Sequence, residues 1–113
     1  GLDGVASFHG SLGLRPQEKP TKITAKILVC NGADDPFVKK SHIEEFKQQM
    51  EEAKADYTFH NYEGAVHGFT NRGADEYGKK FGLPLAYSAS ADQASWSELV
   101  SFLAEVFEPK KEN

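Results

Sequence analysis

The sequence is poor in the residues that would commit it to several common functions. It holds a single cysteine, Cys30, in 113 residues, which excludes an internal disulfide and a Cys-rich metal site, since each needs a second thiol. No run approaches the roughly 18 apolar residues of a membrane span. Positive charge is not in excess either: 13 Lys plus Arg stand against 17 Asp plus Glu, for a net charge of −4. The basic residues are scattered and create no concentrated field of the kind that phosphate backbones require, so nucleic acid is not an expected partner, nor is a membrane. There is no internal repeat, and no low-complexity tract beyond the charged tail Lys110-Lys111-Glu112-Asn113. The opening Gly-Leu-Asp-Gly has no Met and no charged-then-apolar leader, which reads as a start removed or a piece of something longer. The expected compartment is the cytoplasm. What is present is ordinary for a globular protein, with 39% hydrophobic and 27% charged residues, and the length allows one domain at most.

The pattern of apolar residues predicts an α/β fold. Val5 to Phe8 reads as a short strand closing at His9-Gly10, and Gly10 to Pro20 as a loop. Ile23 to Cys30 ends in four successive apolar residues, Ile27-Leu28-Val29-Cys30, so this strand is buried on both faces and stops at Asn31-Gly32. Ser41-His42-Ile43-Glu44 fits a capping box, and Ile43, Phe46, Met50 and Ala53 then recur at helical spacing, predicting a helix over 41–53. Tyr57 to Tyr62 alternates and should be a strand nearer a sheet edge. Gly68 to Ala86, with its glycines and Pro84, reads as a long irregular excursion. From Ser90, Trp96, Leu99, Val100, Leu103 and Phe107 share one helical face, which is assigned to packing; Ser90 to Gln93 would cap this helix and Pro109 would end it. The order strand, strand, helix, strand, helix predicts a parallel sheet flanked by helices. Three strands are few for such a sheet, so further strands are expected on the N-terminal side.

Two polar residues stand where α/β sheets place their chemistry, just beyond the C-terminal ends of strands. Asp35 follows the buried strand in Gly32-Ala33-Asp34-Asp35-Pro36-Phe37-Val38, and His67 follows the next in Gly64-Ala65-Val66-His67-Gly68-Phe69. A carboxylate meeting an imidazole at the sheet edge would orient it and stabilise its protonated form. Asp34 is the rival for the acid, and Asp35 could equally be a turn residue before Pro36. His67 could be a plain loop histidine. His9, at a strand end, either lines a site or bonds a loop, whereas His42 and His60 read as helix and strand residues. A zinc site from His60 and His67 lacks a third ligand.

The Gly-x-x-Asp-Pro-x-Val segment followed by Gly-x-x-His-Gly-Phe resembles the C-terminal half of an α/β-hydrolase, more narrowly of the dienelactone hydrolase family, and Val5-Ala6-Ser7-Phe8-His9-Gly10 looks like that family's strand after its nucleophile helix. The resemblance runs from Leu2 to about Phe107. It implies that Asp35 is the triad acid and His67 the triad base, in a single α/β-hydrolase domain of which residues 1–113 are the C-terminal portion. Substrate contacts are expected from His9 at the active-site rim, from Phe37 beside the acid, and from Arg72, which stands one position after the place where the family carries a carboxylate-binding arginine; Asn71 occupies that place here. The family's nucleophile is a Cys or Ser in a Gly-x-Cys-x-Gly or Gly-x-Ser-x-Gly elbow, and neither motif occurs in this sequence. Cys30 lies inside a buried strand and reads as a small core residue, and Ser11 and Ser41 lack the elbow's glycines. The implied function is cleavage of esters or lactones by the parent protein, without cofactor or metal, while these 113 residues alone are expected to be inactive. A non-catalytic binding or assembly domain that keeps the hydrolase frame is the alternative. A sheet lacking its preceding strands should also expose an apolar edge near Val5 to Phe8 and self-associate.

Overall fold

A computed structural model describes residues 2–12 and 21–108. Much of the anticipated loop to Pro20, and the Pro109 stop signal, lie outside the described residues. The elements in chain order are strand β1 (Gly4–Phe8), strand β2 (Lys26–Gly32), helix α1 (Lys40–Glu52), strand β3 (Asp56–Tyr62), helix α2 (Ala74–Phe81) and helix α3 (Ala89–Val106). The three strands form one parallel sheet in the order β1-β2-β3, so β3 takes the edge position that its alternating pattern predicted.

The doubly apolar β2 is explained by what lies on each side of it. Leu28 and Cys30 join Ala65, Phe69, Ala91 and Phe102 in a core cluster under α3. Val29 joins Phe46 and Met50 of α1 on the opposite face, with Ile27, Tyr57 and Phe59 packed against that second cluster. A strand whose successive side chains point to opposite faces must be apolar at every position when both faces are covered.

Four expectations are corrected. Helix α1 starts one residue earlier than the capping signal implied: Lys39 is the N-cap residue, in extended conformation, and its N–H donates to His42 Nδ1 at 3.4 Å. Ser41 therefore sits inside the first turn, because the turn through Val38, whose N–H reaches the Asp35 carbonyl at 3.2 Å, delivers the chain to the helix before Ser41 is reached. Helix α3 is capped by Ser88, whose Oγ accepts from the Ala91 N–H at 3.3 Å, and not by Ser90. The Ser88 N–H is bonded to the Phe69 carbonyl at 3.0 Å, and that fixes where the helix begins. The supposed irregular excursion contains α2, with Asp75 and Glu76 in its first turn and Lys79 and Lys80 in its last, favourable at both ends of the helix dipole. Gly78 lies within it because a Cβ there would stand 2.5 Å from the Leu85 carbonyl oxygen; the glycine permits close approach and does not mark a turn. Finally, Trp96, Val100, Leu103 and Phe107 do not pack: they are 63%, 53%, 42% and 72% exposed. The sheet-facing residues of α3 are instead Ala91, Ser95 and Phe102, with Leu99 and Val106 half-buried beside them.

Candidate active site

Strand β2 ends at Gly32 and the chain turns at once. The Asp35 N–H donates to the Gly32 carbonyl at 3.1 Å, and the Phe37 N–H donates to Asp35 Oδ1 at 2.9 Å. The second bond is the local turn that Asp commonly makes before proline, so Asp35 is a turn residue with one oxygen and leaves Oδ2 free for another partner. That partner comes from the loop after β3. The two loops approach closely because Gly32 has no side chain: a Cβ there would lie 2.6 Å from the Ala65 carbonyl oxygen. Backbone bonds tie the loops together, from the Ala33 N–H to the Tyr62 carbonyl at 2.8 Å and from the Asp34 N–H to the Ala65 carbonyl at 2.9 Å.

This stitching brings His67 to Asp35, with Nδ1 2.9 Å from Oδ2. The Asp35 side chain is fully buried, whereas the His67 ring is 34% exposed. With Nδ1 committed to the carboxylate, Nε2 is the nitrogen left to exchange a proton. Asp34, the rival acid, is exposed. The His67 loop is anchored on its far side by Phe69, which is wholly buried in the α3-side core, and by a bridge between His67 and Leu85.

Two rings stand edgewise against His67: Phe37 at 5.3 Å and 80°, and His9 at 5.7 Å and 68°. Phe37 is half exposed and forms an open wall beside His67. The His9 Nε2 pairs with Thr70 Oγ1 at 2.8 Å, and the His9 pKa is lowered first by burial and then by the neighbouring His67. A cleft of about 520 Å³ opens beside His9, lined by Phe8, Thr70, Ser95, Trp96 and Leu99 among others. Arg72 is exposed and lies beside the Tyr87 hydroxyl, which donates to Asp92 Oδ2 at 2.6 Å; that bond is the main reason the Tyr87 pKa is raised. Asp35, His67, His9 and Phe37 are thus one group, and Arg72 belongs to a second with Tyr87 and Asp92. Thr70, Tyr87 and Asp92 escaped the sequence reading. Nothing in their spacing separates them from ordinary polar loop and helix residues, except that Thr70 follows His67 by three positions within one turn.

Cys30 is wholly buried, and burial raises its thiol pKa, with the Tyr62 hydroxyl 3.9 Å from Sγ. A thiol held protonated and away from solvent is no nucleophile. Among the described residues no cluster of three or more His, Cys, Asp or Glu is arranged to hold a metal ion, and no described helix is long and apolar enough to cross a membrane.

Comparison with known proteins bears on the family and the fold. The family model for the dienelactone hydrolase family matches residues 1–107. An uncharacterised protein of Caenorhabditis elegans is 31% identical over 110 residues, which cover 95% of this chain and 66% of the relative. Among solved structures, a dienelactone hydrolase-like promiscuous phosphotriesterase from metagenomic libraries superposes with a TM-score of 0.79 at 32% identity, covering 91% of this chain and 42% of its own. A protein designated m3DLH superposes with a TM-score of 0.82 at 31% identity, covering 93% and 42%. The chain therefore spans less than half the length of these solved relatives.

Proposed function

The chain belongs to the dienelactone hydrolase family, and from that premise we propose that it provides the acid and base of an ester- or lactone-cleaving site, with Asp35 orienting and His67 acting as general base. The observation that carries the reading is the 2.9 Å contact between His67 Nδ1 and the buried Asp35 Oδ2, which leaves Nε2 as the nitrogen for proton exchange. Such a pair takes the proton of a nucleophile as it attacks an acyl carbon and returns it to the leaving group. The nucleophile is a Cys or Ser from a part of the family's domain that these 113 residues do not include, because the sequence contains no elbow motif and Cys30 is sealed in the core. Without that group no acyl intermediate forms, and these residues alone are inactive toward esters. The reaction needs no cofactor, since attack and proton transfer are side-chain chemistry. The half-exposed Phe37 ring faces an apolar part of the substrate, whereas Arg72 stands with Tyr87 and Asp92 and is not assigned a substrate contact.

The test compares the protein expressed from its natural gene with the 113-residue chain, using an aryl ester and a thiol- or serine-directed inhibitor. The natural product is expected to have a mass well above 12.5 kDa and to hydrolyse the ester. His67→Ala is expected to lose roughly 10²- to 10⁴-fold in kcat. Full activity in His67→Ala would end this reading. The missing elbow motif favours a second reading, a non-catalytic binding or assembly domain. It would take the lead if the natural product has the mass of this chain and if Asp35→Asn leaves its behaviour unchanged.

A further inference from the structure

We propose that His9 is a positioning residue for His67 and not a substrate contact: clamped by Thr70, it seats the turn that carries the base and forms one wall of its ring. The inference rests on reading His67 as the base.

The backbone marks His9 first. Its φ is +43°, in the left-handed region that a residue with a side chain enters at a cost and that clusters at functional positions. The conformation is held in place, since the His9 N–H still donates to the Cys30 carbonyl at 2.9 Å, one step beyond the last pair of the β1–β2 ladder. The following Gly10 keeps this corner tight, because a Cβ there would come within 2.7 Å of Ser7 Oγ. A strand end twisted in this way turns the imidazole off the sheet and onto the 67–70 turn. There it makes three contacts at once: Nε2 to Thr70 Oγ1 at 2.8 Å, the His67 ring at 5.7 Å and the Phe69 ring at 5.3 Å. The hydrogen bond joins residues 61 positions apart. It therefore ties the first strand of the sheet to the segment bearing the base, which the turn after β2 already holds from its other side. A ring whose Nε2 is already engaged by Thr70 and whose edge is packed on two aromatic neighbours is poorly placed to bind substrate, and well placed to limit how far His67 swings from Asp35.

The groups facing His9 make its charge state part of the device. From the loop after β3 there is His67, from the turn after β2 Asp35, and from α3 Asp92, which lines the same cleft. Burial and His67 both disfavour protonation of His9, and Asp35 opposes them more weakly. His9 thus stays uncharged near neutrality.

The experiment is an NMR titration of the 113-residue protein, following the ring protons of His9 and His67 and the exchange of the His67 Nδ1–H. In the unaltered protein the His9 ring is expected to protonate below the ordinary imidazole value. His9→Asn, chosen because Asn tolerates the left-handed backbone, should speed exchange of the His67 Nδ1–H by about tenfold or more. Thr70→Val keeps both rings and the side-chain shape but removes the clamp; it should also speed exchange, with Thr70→Ser restoring the original rate. Exchange unchanged in His9→Asn or in Thr70→Val, or a His9 ring that titrates at or above the ordinary imidazole value, would overturn the proposal. Because nothing here requires turnover, its failure is distinct from the failure of the hydrolase reading, which the His67→Ala assay decides separately.

Discussion

Helices α1 and α3 cover opposite faces of the same sheet, yet they are built on different plans. On α1, Phe46 and Met50 are buried against Val29, with Ile43 beside them, and none of its large apolar residues is exposed. On α3 the sheet-facing side is served by Ala91, Ser95 and Phe102, while a second apolar stripe of Trp96, Val100, Leu103 and Phe107 faces outward. A helix apolar on one stripe is finished by one packing partner, and a helix apolar on two is suited to being covered twice. The β1 strand beside it has the same character, since Val5 is 40% exposed and one side of the strand has no neighbour in the sheet of the described residues. The Asp35–His67 pair, by contrast, is complete in itself, with the Asp35 carboxylate satisfied on both oxygens. The site's polar half is closed locally, whereas the apolar flank is open.

The comparison can be broken most severely in the core. Phe102→Ala and Phe46→Ala, one under each helix, should each destabilise by about 3–5 kcal/mol, measured by urea unfolding; a much smaller cost for Phe102 would mean that α3 is held by something other than its inward face. Ser88→Ala should cost about 1 kcal/mol by removing the cap of α3, while Ser41→Ala and Ser90→Ala cost almost nothing; equal losses at all three would contradict the observed helix starts. Stability should also respond to acid through His9. Its folded pKa lies below its ordinary 6.5, so the unfolded chain binds the proton more readily. Stability is then full above about pH 6.5 and falls as the pH drops through and below that value. The melting temperature should decline between pH 7.5 and 5.5, with a shallower slope in His9→Asn; identical slopes would remove His9 from the account. The smallest effect on folding is expected from Trp96→Glu, within about 0.5 kcal/mol. We propose that the open flank mediates self-association, so this substitution should lower the apparent mass in sedimentation at high concentration. A monodisperse monomer before any substitution would refute that association.

Where the sequence was legible, a local rule and the tertiary outcome coincided. The doubly apolar run of β2 and the Phe46–Met50 spacing of α1 each need only one fact, that a face is covered, and both faces of the sheet are covered. Asp35 and His67 could be picked out because strand ends in α/β sheets collect chemistry and because their flanking residues resemble a known pattern. The outward stripe of α3 was misread for a physical reason: periodicity reports that a face is apolar and says nothing about what lies opposite it. Likewise Gly78 was taken for punctuation, although its role is contact with Leu85, a residue that only the folded chain brings near.

The amino-acid sequence by itself determined the layer order and the two-sided burial of β2, because each follows from periodicity, and it singled out the Asp34-Asp35 pair and His67 by their places just after strands. Tertiary structure alone decided that Asp35 and not Asp34 reaches His67, that His9 bonds Thr70, and which face of α3 the sheet takes. Those outcomes depend on distances between segments 30 to 60 residues apart, set by the close passage at Gly32 and the packing of Phe69, and no local pattern encodes such distances.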